Sequence, residues 1–105
     1  MPEFLLLYRL PRDHENDDDD VAAWNAWLGD IGEGLLEMGK PVADSATVGA
    51  TDGITGRLAG YSVIAADDRQ AAEEIARRCP AVASGGAVEV GALAEMPEGH
   101  GPESR

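Results

Sequence analysis

Arg57-Leu58-Ala59-Gly60-Tyr61-Ser62-Val63-Ile64-Ala65-Ala66, running straight into Asp67-Asp68-Arg69-Gln70, is the stretch that decides the fold. Leu58, Tyr61, Val63 and Ile64 place apolar side chains on both faces of the first part, as expected of a strand covered on two sides. Asp67 and Gln70 have the spacing of a capping box, with aspartate replacing the usual serine or threonine. A helix is predicted from there to about Arg78, with Ala71, Ala72, Ile75 and Ala76 as its apolar side. Arg77 and Arg78 complement its C-terminal dipole, and Pro80 ends it. Beyond the turn at Gly85-Gly86, Ala87 to Leu93 reads as a final strand, which completes one βαβ half.

Working toward the N-terminus, Asp52-Gly53 and Gly56 signal a reversal of direction. Before it, Pro41 to Ala50 reads as a strand anchored by Val42 and Val48, with Ala43 and Ala46 filling in. A first helix is predicted from Val21 to Met38, since Val21, Trp24, Leu28, Ile31 and Leu35 recur at intervals of three and four. Trp27 falls on the edge of that stripe. Gly29, Gly32 and Gly34 each cost about 1 kcal/mol against alanine in a helix interior; close approach to a sheet would account for them. Gly39 and Pro41 supply the stop. Arg12 to Asp20 is a polar loop ending in four aspartates, the last of them placed to cap the helix. Glu3 to Arg9, closed by Pro11, is a short apolar run suited to a central strand.

The order is β-α-β-β-α-β. It predicts an α+β fold of the ferredoxin-like kind, a four-stranded antiparallel sheet with two helices on one face. The domain spans residues 1–97, and residues 98–105 form a flexible tail with little that could pack. A chain of 105 residues is one domain, too short for two. It buries roughly two-thirds of its surface or less. The sheet face without helices would stay bare in a single chain, and such a face usually marks an interaction surface. A homodimer packed sheet to sheet is therefore expected.

The formal net charge is −12, from 20 acidic and 8 basic side chains. Phosphate backbones need clustered Lys and Arg, so nucleic acid and anionic membrane surfaces are excluded as partners. Phe4 to Tyr8 is too short for a membrane span or a signal-peptide core. Cys79 is the lone cysteine, which rules out an internal disulfide and a thiolate cage and agrees with a cytoplasmic location.

Few residues carry candidate chemistry. His14 stands among Asp13, Glu15 and Asp17, a set that could hold a divalent cation. The loop has no apolar anchor, however, and reads as solvated charge; no metal and no cofactor is expected. His100 lies in the tail. Tyr8, Trp24, Asp44 and Tyr61 are the candidates for a ligand pocket, with the aromatics as walls. Asp44 beside aromatic rings could act as a general base. In the alternative reading the aromatics are core and Asp44 caps a turn. Cys79 has no histidine placed to activate it and reads as a buried thiol at a helix end.

Several stretches together resemble one family. They are Phe4-Leu5-Leu6-Leu7-Tyr8-Arg9, Gly60-Tyr61-Ser62-Val63-Ile64-Ala65-Ala66 with its alanine-rich helix, Cys79-Pro80, and Gly85-Gly86-Ala87-Val88-Glu89-Val90. In order and spacing they resemble the YCII-related domain proteins, in the branch with a Gly-Tyr strand and a Cys-Pro helix end, over residues 3 to 97. The resemblance implies a dimeric α+β barrel. Some members carry a histidine on the first helix and a nearby aspartate for acid-base chemistry. Here Asp44 is the candidate for the aspartate, but tryptophans and leucines stand on the helix instead of histidine. A related branch has Asp-Gly-Pro-Phe before the third strand, and this chain has Asp52-Gly53-Ile54-Thr55. The reading is a dimeric domain that binds a small molecule or a protein partner. The alternative is an enzyme on a small organic substrate with Asp44 as base.

Overall fold

The computed structural model describes residues 1–95, so the expected boundary at 97, the tail and His100 lie outside the described residues. Four strands form one antiparallel sheet: β1 (Glu3–Leu10), β2 (Leu35–Glu37), β3 (Arg57–Ala65) and β4 (Ala87–Ala92), in the order β2-β3-β1-β4. Helices α1 (Asp18–Ile31), α2 (Arg69–Arg77) and the short α3 (Pro80–Ala83) complete the chain. This is the ferredoxin-like order expected from the sequence.

Alternation along β1 sorts the sheet into two faces. Phe4, Leu6, Tyr8 and Leu10 are buried, while Leu5, Leu7 and Arg9 are half-buried. The buried set joins Ser62 and Ile64 of β3, Trp27 of α1, Ala72 and Ala76 of α2, and Ala81 of α3, so all three helices cover the same face. The small alanines let α2 and α3 sit close to the strands. Each fully buried leucine contributes about 1.5–3 kcal/mol by leaving water.

The first helix is shorter than its periodicity predicts. It ends at Ile31, with Gly32 in the left-handed region at φ 63°, followed by a 3-10 turn over Gly32–Gly34. Gly32 therefore stops the helix, Gly29 lies within it beside open space, and Gly34 alone meets the sheet closely, where a Cβ would lie 3.2 Å from the Ala65 carbonyl oxygen. Leu35 then pairs with Ile64 and forms the short edge strand β2. Consequently the expected strand at Pro41–Ala50 is not one. Pro41 makes a single bridge to Gly60, Val42 N–H donates to the Ala59 carbonyl at 2.8 Å, and the chain from there to Gly56 is irregular. Small and polar residues dominate that segment, and Leu35-Leu36 outcompete it for the edge of β3.

Both caps are acidic as expected but lie elsewhere: α1 begins at Asp18, not Val21, and its cap is Asp17, the first of the four aspartates rather than the last. Asp17 and Asp20 form a reciprocal capping box at the start of α1. At α2 the cap is Asp68, whose side chain accepts from Ala71 N–H, rather than Asp67. Pro80 opens α3 instead of only ending the helix before it. Trp27, expected at the stripe's edge, is the buried residue of α1, with its indole N–H donating to the Ile75 carbonyl at 3.1 Å. Val21, expected in the stripe, is 54% exposed.

Candidate functional site

A cavity of about 230 Å³ opens between α1 and the sheet. Strands β1 and β3 supply Tyr8, Leu10 and the run Ala59–Ser62; α1 supplies Val21, Trp24, Asn25 and Leu28; the link Met38–Pro41 closes the side, and Asn16 stands near the helix start. Glycine makes the link fit. Gly39 has φ 74°, and a Cβ there would lie 1.8 Å from the Tyr61 carbonyl oxygen. A side chain at Gly60 would press on the Lys40 carbonyl at 3.0 Å and on the Pro41 Cα at 3.3 Å.

Tyr8 organises the wall. Its ring meets Trp24 edge-on with centroids 4.8 Å apart and Trp27 at 5.8 Å, and the two tryptophans are themselves 5.8 Å apart and nearly perpendicular. Such edge-to-face contacts are favourable because a ring's positive edge meets a negative face. The Tyr8 hydroxyl donates to Ser62 Oγ at 2.7 Å, and Ser62 Oγ donates to the Met38 carbonyl at 2.6 Å. This chain ties β1, β3 and the link together.

Burial pushes the Tyr8 phenol up to about 12; the Ser62 hydrogen bond opposes the shift and nearby Cys79 adds a smaller push in the same direction. Tyr8 is therefore neutral at ordinary pH. The Cys79 thiol is also pushed up to about 12 by burial, against a weaker pull from a backbone hydrogen bond at Ala81. It is a protonated, buried thiol with no nucleophilic character at neutral pH.

Of the sequence candidates, Tyr8, Trp24 and Tyr61 lie among the residues lining this cavity. Tyr61 is one position off the inward set of β3, and its hydroxyl is 3.5 Å from Glu37 Oε1, a long contact at the surface. Asp44 is exposed in the irregular segment and is not a lining residue. Among the described residues no carboxylate, imidazole or thiol lines the cavity. His14 pairs with Asp20 at 3.3 Å, and its carbonyl accepts from Arg57, so its loop is tied to the helix start and to β3. Among the described residues no group of three or more His, Cys, Asp or Glu is arranged to hold a metal ion. No helix among them is long and apolar enough to cross a membrane.

Ser62 and the Met38 carbonyl were missed by sequence reasoning. The available signal was a serine at an inward position of an otherwise apolar strand, between Gly60 and Ile64. Its partner, Tyr8, is 54 residues away in the chain and becomes its neighbour only through the β1–β3 register.

These features define a ferredoxin-like α+β domain with an aromatic-walled cavity between its first helix and its sheet. The chain belongs to the YCII-related domain family, whose model matches residues 1–97. No curated protein matches it. Among solved structures it is similar to the 5-chloro-2-hydroxyhydroquinone dehydrochlorinase (TftG) of Burkholderia phenoliruptrix AC1100, in complex with 2,5-dihydroxybenzoquinone. The TM-score is 0.60 at 18% identity, covering 89% of this chain and 95% of that one. At that identity the likeness bears on the fold.

Proposed function

We propose that this YCII-related domain binds a small, largely apolar ring compound in the cavity between α1 and the sheet, and that it works as a pair of identical chains. The observation that carries the reading is the edge-to-face pair of Tyr8 and Trp24 walling a space of about 230 Å³, with Trp27 packed behind the pair. Sites for drug-sized ligands run to roughly 300–1,000 Å³, so this one suits a single ring. Few polar groups converge on it, as in most small-molecule sites. Pairing is supported by the outer sheet face, where Leu5 opposes Val63 and Leu7 opposes Tyr61, all half-buried in a single chain. A cytoplasmic location agrees with the free, buried thiol of Cys79.

Native mass spectrometry on freshly purified protein tests both parts. A mass of two chains with a small adduct is expected, and Trp24→Ala should lose the adduct. A persistent single chain would sink the pairing; an adduct retained by Trp24→Ala would sink the site.

The second reading is an enzyme acting on such a compound with Asp44 as general base. It rests on the position of Asp44, three residues beyond the wall residue Pro41. Under this reading Asp44→Asn folds, binds the ring compound and abolishes its turnover. Under the first reading the same substitution changes nothing.

A further inference from the structure

The hydrogen-bond chain at the back of the cavity has a direction, and the direction selects ligands. Resting on the ring-compound reading above, we infer that Ser62 fixes the polarity of the site, so that the cavity favours a ring bearing a hydrogen-bond donor, an aromatic hydroxyl or amine, and disfavours isosteres that can only accept.

The direction of each bond is fixed by the protons available. The Met38 carbonyl has no hydrogen to give, so the 2.6 Å contact with Ser62 is a bond that Ser62 donates. A hydroxyl has one proton, and that of Ser62 is thereby committed. The 2.7 Å contact between Tyr8 and Ser62 must then be donated by Tyr8. Tyr8 has no second proton. What its hydroxyl leaves for a ligand is lone pairs, and burial keeps the phenol neutral, so the polarity holds across ordinary pH. Tyr8, Ser62 and Met38 are all among the residues lining the cavity, and on the present inference the free lone pair of the Tyr8 oxygen faces it. Asn16, Asn25 and Lys40 supply donors from other elements, but at the Tyr8 oxygen a ligand oxygen that can only accept would set two acceptors against each other, and an unmade bond there is costly.

The test uses toluene, phenol and anisole titrated into the full chain, read by the NMR shift of the Trp24 indole N–H. Toluene reports whether the cavity takes a ring at all. The informative quantity is the anisole-to-phenol ratio of dissociation constants, because differences in bulk and hydrophobicity cancel when that ratio is compared between variants. In the native chain the ratio should exceed that of Tyr8→Phe by roughly threefold to tenfold, the usual net worth of one hydrogen bond. Ser62→Ala frees the Tyr8 proton to donate into the cavity, and the ratio should fall to the Tyr8→Phe value or below it. An identical ratio in all three proteins overturns the inference and leaves the ring site standing. If none of the probes binds the native chain, the ring site itself falls and the inference with it. Should Ser62→Ala fail to fold, the native chain against Tyr8→Phe decides by the same ratio.

Discussion

The two faces of the central strands differ more than their composition does. Leu6 and Leu7 are neighbours in an unbroken apolar run, yet Leu6 is fully buried under the helices and Leu7 is half-open on the far side. Tyr8 and Tyr61 make the same contrast. The Tyr8 hydroxyl bonds inward to Ser62, whereas that of Tyr61 reaches Glu37 at the surface. The inner face is finished within one chain. The outer one has apolar pairs without a covering layer, and that asymmetry separates what holds the fold from what is free to meet another molecule.

Six substitutions would break or sharpen this contrast. Leu6→Ala should have the largest effect, about 2–5 kcal/mol of stability, from lost burial and the cavity left behind. Leu7→Ala should cost no more than about 1 kcal/mol in separated chains, as expected away from the sealed core. It should instead weaken pairing in native mass spectrometry. Denaturant unfolding of both variants at low concentration checks the difference, and equal losses would erase the distinction between the faces.

The alkaline limb of stability comes next. Tyr8 and Cys79 have native pKa values of about 12, against 10.0 and 9.0 in ordinary surroundings. In both groups the native state holds its proton more tightly than the unfolded chain. Their stabilising contribution is therefore whole below pH 9 and is lost as pH rises from there through about 12. Cys79→Ala should move the onset of the loss from near pH 9 to near pH 10, and Tyr8→Phe should flatten the later part. A chemical-denaturation series from pH 8 to 12 would show it.

Smaller still is the loss of the polar tie. Ser62→Ala should cost about 1–2 kcal/mol, because it leaves the buried Tyr8 hydroxyl without its acceptor. Asp17→Ala, which removes the cap of α1 far from both faces, should cost about 1 kcal/mol. If the Ser62 variant were as stable as the native chain, water would have to replace the serine oxygen at the cavity wall.

Much of the architecture was legible because it depends on local pattern. The run at Glu3–Leu10, the strand at Arg57–Ala65 and the helix after Asp68 each carry their own periodicity and punctuation. The second strand was misplaced for a physical reason. Gly32 and Gly34 look like flaws in a long helix, and only the packed structure shows the chain reversing there so that Leu35 can reach Ile64. Asp44 illustrates the same limit at the site. Residue type nominated it as the base of a pocket, but the segment after Pro41 leaves the sheet and carries it into solvent.

The sequence by itself determined the α+β class, the order of elements and the family, since these follow from hydrophobic period, turn residues and the order of short motifs. The tertiary structure alone decided which face of each strand is sealed, where the second strand lies, and that Tyr8, Ser62 and the Met38 carbonyl form one directed chain. Side chains alternate across a strand, so a shift of one residue in register would exchange the two faces. That register is set by pairing between segments far apart in the chain, such as Tyr8 with Gly60 and Glu3 with Ala65, and no local pattern records it.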